Sequence, residues 1–201
     1  MVIQAPVRSG KTNFIVNLLY NSQFNYKKLY EEVIYISPTI ENDDTGTVIM
    51  KDDDIIKITD RLDQLDLILE SIVEIQKQKL KDERTHTLII MDDCLGLIKT
   101  LGGSYFATLC SKFRHWKLSL WVTTQNFRSL PPTCRYNSSS YIIFRTNNSK
   151  EQTKMQEEFE GNYPFHELYE RATKERYSFL YLNMEDVSAY RNFEEKIFEK
   201  V

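Results

Sequence analysis

The chain has 201 residues, 41% hydrophobic and 27% charged, enough for one globular domain with a substantial core and too short for two full ones. Its net charge of −3 gives no global reason to bind nucleic acid, so any such contact needs a local patch or a ring pore. Cys94, Cys110 and Cys134 are too few and too scattered for a disulfide framework or zinc site, which points to a reducing intracellular setting, and no apolar run reaches the length of a membrane span.

In chain order, the apolar start at Met1, Val2 and Ile3 predicts a strand, and Asn13 to Tyr20 a helix. The strand begins at once, so either the start codon lies unusually close or a short preceding piece is missing. Glu32 to Ser37, closed by Pro38, reads as a second strand. Residues 41–54 are acidic and read as a loop or a small hairpin around 47–50. Leu62, Leu65, Ile68, Leu69, Ile72 and Ile75 recur at helical spacing and predict a long helix over about 60–81. Further strands are predicted at Thr87 to Met91, Leu118 to Val122, Ser140 to Arg145 and Ser178 to Leu182. Helices are predicted at Ser104 to Phe113, Lys150 to Glu160 and Phe165 to Thr173, with a short terminal helix and a Pro/Ser/Asn-rich loop before Ser140. Continuous apolar strands separated by helices imply an α/β fold, a mainly parallel sheet with helices on both faces. The expected organisation is one domain, its core over about 1–145 and a C-terminal extension over about 146–201.

Chemistry concentrates at three places. The first is Ala5, Pro6, Val7, Arg8, Ser9, Gly10, Lys11 and Thr12, a glycine–lysine turn between strand and helix that suits a nucleoside triphosphate. Backbone N–H groups and the helix start cradle phosphate, Lys11 neutralises its charge, and Thr12 ligates Mg²⁺. Ala5 stands where glycine is usual, which is tolerable if its backbone avoids positive φ. The second is the strand end at Asp92 and Asp93, where Asp92 suits the metal's water shell and Asp93 a general base. The third is Gln125, ending the run 118–124, whose amide can both donate to γ-phosphate and accept from water. Such a polar residue marks hydrolases with an extra strand between the P-loop strand and the acidic strand. The bland alternatives are a chance Gly-Lys-Thr, an ordinary polar strand end and a glutamine bonding loop backbone.

Phosphoryl transfer also needs a cation. Arg114, Arg135 and Arg8 are the candidates, Arg114 and Arg135 reaching a neighbouring subunit and Arg8 acting in cis. For each, a surface salt bridge is an equal alternative. His86, His115 and His166 lack metal-site spacing. Tyr105, Phe127 and Tyr136 are weak candidates for stacking on nucleic acid.

Val7 to Asn13, Leu88 to Asp93, Phe113 to His115, Val122 to Gln125 and Leu130 to Asn137 together resemble the poxvirus-type genome-packaging ATPases of the FtsK–HerA group. The resemblance covers roughly residues 1–145. It implies a homo-oligomeric ring, hexameric or pentameric, that hydrolyses ATP with Mg²⁺ to drive double-stranded DNA into a capsid at its portal vertex. The setting it implies is the host cytoplasm or a viral factory, with virion association as a variant. It assigns Lys11 and Thr12 to phosphate and Mg²⁺, Asp92 and Asp93 to the acidic pair, Gln125 to the sensor, and Arg114, then Arg135, to the trans finger. A small-molecule or nucleoside kinase, a helicase or replication initiator, and a non-catalytic nucleotide-binding assembly protein remain alternatives.

Overall fold

The computed structural model describes residues 1–100 and 104–200. In chain order the strands are β1 (Val2–Gln4), β2 (Glu32–Ile36), β3 (Ile55–Ile58), β4 (Thr87–Met91), β5 (Leu118–Thr124), β6 (Ser140–Phe144), β7 (Phe179–Asn183), β8 (Ser188–Arg191) and β9 (Glu195–Glu199). The α-helices are α1 (Lys11–Tyr20), α2 (Thr47–Met50), α3 (Leu65–Gln78), α4 (Leu95–Thr100), α5 (Ser104–Lys112), α6 (Pro132–Asn137), α7 (Ser149–Phe159) and α8 (Phe165–Ala172). By their contacts these group into two units, one of residues 12–122 and one of residues 1–11 with 123–201. The chain passes from one to the other at Lys11–Thr12 and at Val122–Thr123.

In the unit of residues 12–122, β2 pairs in parallel with β3 on one side and β4 on the other, and β4 pairs in parallel with β5. All five residues of β4 are buried, as befits a parallel strand covered on both faces. The apolar stripe of α3 sinks Leu65, Leu69, Ile72 and Val73, the i, i+4, i+7, i+8 pattern of a helix with one face in the core. Gln76 extends that buried stripe, and its side chain donates to Thr85 O and Thr87 Oγ1, which satisfies its amide nitrogen.

In the other unit, β1 pairs in parallel with β6, and β6, β7, β8 and β9 continue antiparallel. Its core is aromatic. Tyr141 meets Phe159 edge to face at 4.8 Å, and Phe165 lies 5.5 Å from Phe159 and 5.6 Å from Tyr169. Each such pair adds roughly 0.5–1.5 kcal/mol beyond area burial. The pattern arises because Phe165, Leu168, Tyr169 and Ala172 form one apolar face of α8. Asn148 starts α7 by accepting from the Lys150 N–H at 3.1 Å.

Three local expectations are corrected. The terminal segment is the antiparallel pair β8–β9, where cross-strand pairing overrides the helix-forming Glu and Lys. Residues 47–50 form one helical turn that buries Ile49, and the strand of that region is β3, a little further on. The loop before Ser140 contains α6, which Pro132 opens at a position where the absent N–H costs nothing.

Candidate functional site

Residues 5–11 lie in one unit with Thr123, Thr124 and Gln125. Ala5 is fully buried, and its N–H donates to Thr124 O at 2.9 Å. It is absent from the residues with positive φ, so the backbone condition that alanine imposes at this position is met. The loop closes through Ser9, whose N–H and hydroxyl both donate to Pro6 O, at 3.2 and 2.7 Å. Arg8 (φ 63°) and Gly10 (φ 90°) are left-handed, with Ser9 between them not so. Alternation of this kind turns successive N–H groups into an anion-binding concavity, and it leads directly into the N-terminus of α1 at Lys11. Pro6 is half-buried, and Val7 and Arg8 are exposed on the outside of the turn. Gln125 is exposed immediately after β5. Thr124 fixes the bend there: its hydroxyl donates to Asn126 O at 2.7 Å and accepts the Asn126 N–H at 3.0 Å.

Thr12 lies in the other unit with the acidic pair. Asp92 follows β4 and is almost wholly buried; its N–H donates to Ile36 O at 2.9 Å, and its Oδ2 accepts from the Tyr35 hydroxyl at 2.9 Å. Burial first, then the negative charge and hydrogen bond of Asp92, and further the charges of Asp43 and Asp93, hold the Tyr35 phenol well above its usual range. It is therefore a committed donor. Asp93 carries a left-handed backbone (φ 56°), strain of the sort that clusters at functional positions.

Asp43 is a residue the sequence reading missed. Burial pushes its carboxyl up, but hydrogen bonds from the Thr12 hydroxyl and from the 45 and 46 amides outweigh this and hold it below the usual carboxylate range. Thr12, Asp43 and Asp92 thus offer hard oxygen donors of the kind Mg²⁺ prefers, and Mg²⁺ keeps much of its shell as water and phosphate. Among the described residues no three His, Cys, Asp or Glu side chains group to hold a metal on their own.

The arginines separate. Arg114 sits in a short turn, residues 113–116, just ahead of β5, with its guanidinium 5.6 Å from the Phe113 ring. The Thr87 N–H donates to Lys117 O, so this turn adjoins the start of β4, whereas Asp92 follows its end. One strand of about 16 Å lies between. Arg114 is exposed and out of reach of its own acidic pair. Arg135, on α6, is mostly buried: it ion-pairs with Glu158 at 3.0 Å and donates to Leu130 O at 2.7 Å. Of the three stacking candidates, Phe127 is fully buried in the aromatic core and presents no face to a base, while Tyr136 is exposed.

A family model described as "Poxvirus A32 protein" matches residues 1–159. The chain belongs to the poxvirus A32 protein family. It is also 27% identical over 99 residues to an uncharacterized protein, 075L, of Invertebrate iridescent virus 6, and 27% identical over 100 residues to 088R of Invertebrate iridescent virus 3. These matches cover 47% and 48% of the chain but only 38% of each relative. Among solved structures, the genome-packaging NTPase B204 of Sulfolobus turreted icosahedral virus 2 in complex with ATPγS superposes with TM-score 0.66 at 16% identity, covering 100% of this chain and 97% of that one. The pCW3 conjugation coupling protein TcpA superposes with TM-score 0.58 at 12% identity, over 98% of this chain and 58% of that one. At such identity the likeness is one of fold: this A32-family chain has the α/β fold of P-loop ATPases of the FtsK–HerA group. No helix among its described residues is long and apolar enough to cross a membrane.

Proposed function

We propose that this chain is an ATPase that packages double-stranded viral DNA. The observation that carries the reading is the placement of β5. It pairs with β4, the strand of the acidic pair, and its Thr124 O accepts the Ala5 N–H that opens the P-loop. Gln125 follows this strand, and an amide there that can donate to γ-phosphate and accept from water favours hydrolysis over transfer to a nucleoside.

In this reading the amides of residues 8–11 and the Lys11 ammonium hold the β- and γ-phosphates. Thr12 and Asp92, with Asp43 hydrogen-bonded to Thr12, would hold Mg²⁺, which would supply charge neutralisation to the triphosphate. Asp93 accepts a proton from water as its oxygen bonds the γ-phosphorus and the bridge to the β-phosphate breaks. Gln125 orients that water. Arg114, a strand's length from its own acidic pair, serves a neighbouring subunit in a homo-oligomeric ring, while Arg135 is held by Glu158. The ring works at the capsid portal vertex inside the infected cell.

The test is ATP turnover with and without duplex DNA, alongside oligomer mass, with Lys11→Ala as control. The expected result is DNA-stimulated hydrolysis by a ring, abolished in Lys11→Ala. Stimulation by a nucleoside in place of DNA would identify a kinase instead.

A further inference from the structure

Tyr177 is out of character for its surroundings. It is 55% exposed in a unit where Tyr141, Phe159, Phe165 and Tyr169 are buried in the core. It is also left-handed (φ 68°), a conformation a bulky residue adopts only when its neighbours enforce it. They do so here. Upstream, Thr173 Oγ1 donates to Tyr169 O at 2.7 Å; downstream, the N–H and hydroxyl of Ser178 both donate to Glu175 O, and Glu175 is paired with Arg191 at 2.7 Å. The turn of residues 173–178 is thus pinned at both ends with the phenol ring at its tip.

That tip meets the P-loop. A Cβ built on Gly10 would lie 3.2 Å from Cδ1 and 3.6 Å from Cε1 of Tyr177, so the ring edge rests against the left-handed glycine that precedes Lys11. The Arg176 guanidinium lies over the ring at 4.7 Å from its centroid. The arrangement follows from topology. β7 runs antiparallel to β6, placing the turn before Phe179 beside the Phe144 end of β6, and β6 pairs in parallel with β1, whose end opens the P-loop. A rigidly presented, half-exposed aromatic ring, with a planar cation on it, therefore adjoins the triphosphate cradle.

We propose that Tyr177 and Arg176 form the platform on which the base of the bound nucleotide stacks. The base hangs from the α-phosphate end of the triphosphate, a few ångströms beyond the β-phosphate that the Gly10 region cradles. Aromatic and guanidinium planes accept any base by its π-face, more strongly the larger purines, and no hydrogen-bond readout is needed. This inference rests on the nucleotide reading above and adds the residues that hold the base to those that hold the phosphates.

The test compares binding of ATP and of inorganic tripolyphosphate, each with Mg²⁺, to the full chain by calorimetry. Tyr177→Asn removes the ring while tolerating a left-handed backbone; Tyr177→Phe keeps the ring. The platform predicts ATP binding weakened about tenfold in Tyr177→Asn, tripolyphosphate binding unchanged, and Tyr177→Phe matching the parent for both. A parallel loss for both ligands would make Tyr177 a buttress of the P-loop and overturn the platform, as would an unchanged ATP affinity. Equal affinity of the parent protein for ATP and tripolyphosphate would also refute it while leaving the phosphate site standing. Binding of neither ligand would instead sink the nucleotide reading itself.

Discussion

Removing the hydroxyl of Tyr35 isolates a hydrogen bond between two buried side chains at the acidic pair. In Tyr35→Phe the ring and its packing stay, and only the 2.9 Å contact to Asp92 Oδ2 is lost. Tyr35 is fully buried and Asp92 is 3% exposed, so water cannot readily replace the lost donor. Hydrogen bonds to charged groups contribute about 1.5–3 kcal/mol, which sets the expected loss near 2 kcal/mol. For a chain of this size that lowers Tm by roughly 4–8 °C. Because burial and the Asp92 charge hold the phenol well above its usual range, the donor is intact at neutral and mildly alkaline pH, and the comparison is clean there. A second consequence separates a positioning role from mere packing. If Asp92 holds Mg²⁺ as proposed, its carboxylate released from Tyr35 is less well positioned for the ion, so the Mg²⁺ concentration for half-maximal ATP hydrolysis should rise several-fold, with about tenfold as the scale of 1.4 kcal/mol. The assay is a thermal melt without nucleotide, paired with a Mg²⁺ titration of turnover. A lowered Tm with an unchanged Mg²⁺ midpoint would show that Tyr35 serves the core alone; wild-type values in both would refute the reasoning outright.

The two arginines should part company. Arg135→Ala leaves the Glu158 carboxylate nearly buried without its partner, and breaking such a pair costs about 3–5 kcal/mol, read as a loss in the denaturation midpoint, whereas Arg114→Ala should keep the parent's stability. Mixed into wild-type rings, Arg114→Ala should depress turnover beyond its share of subunits while still binding ATP; strictly proportional activity would remove the trans role. Acid should undo a third contact. Burial raises Asp52, but hydrogen bonds from Lys27 and Tyr20 outweigh it, so its folded pKa lies below the unfolded value of about 3.9. A depressed carboxyl contributes stability above that unfolded value and loses it as pH falls through the folded one. Asp52→Asn should therefore be less stable than the parent by about 1–3 kcal/mol at pH 7, the gap closing below pH ~4; a gap that persists in acid would assign the effect to packing.

What could be read from the sequence was what contiguous residues carry. The buried runs at β2, β4 and β6 are unbroken apolar stretches bounded by turn residues, and a parallel strand covered on both faces leaves that trace. The P-loop pattern was equally visible, since the groups proposed to act there, backbone amides with Lys11 and Thr12, are neighbours in the chain. β9 was not visible. Its Glu195, Lys196 and Glu199 lie on a half-exposed strand, and their local preference for helix is overruled by pairing with β8. β3 is four residues long and follows three aspartates, too brief to show a period.

The site divides along the same line. Asp92 and Asp93 end a legible strand, but Asp43 is one of six acidic residues between 41 and 54, and nothing local distinguishes the one whose carboxylate meets Thr12. That choice is made by β2 pairing with β4, which brings the loop after Ile36 to the acidic pair. Tyr35 hides for a related reason: it is one of 12 tyrosines, and within a strand buried on both faces the alternation of sides carries no polar mark. Tyr177 depends on two successive pairings, β1 with β6 and β6 with β7, before its turn comes to Gly10. The residues that name the chemistry are therefore written locally, and those that tune it are placed by sheet order. Substitutions that alter strand pairing far from the P-loop should accordingly change affinity for Mg²⁺ or for the base before they abolish phosphate binding, because the cradle needs only its own turn and the start of α1.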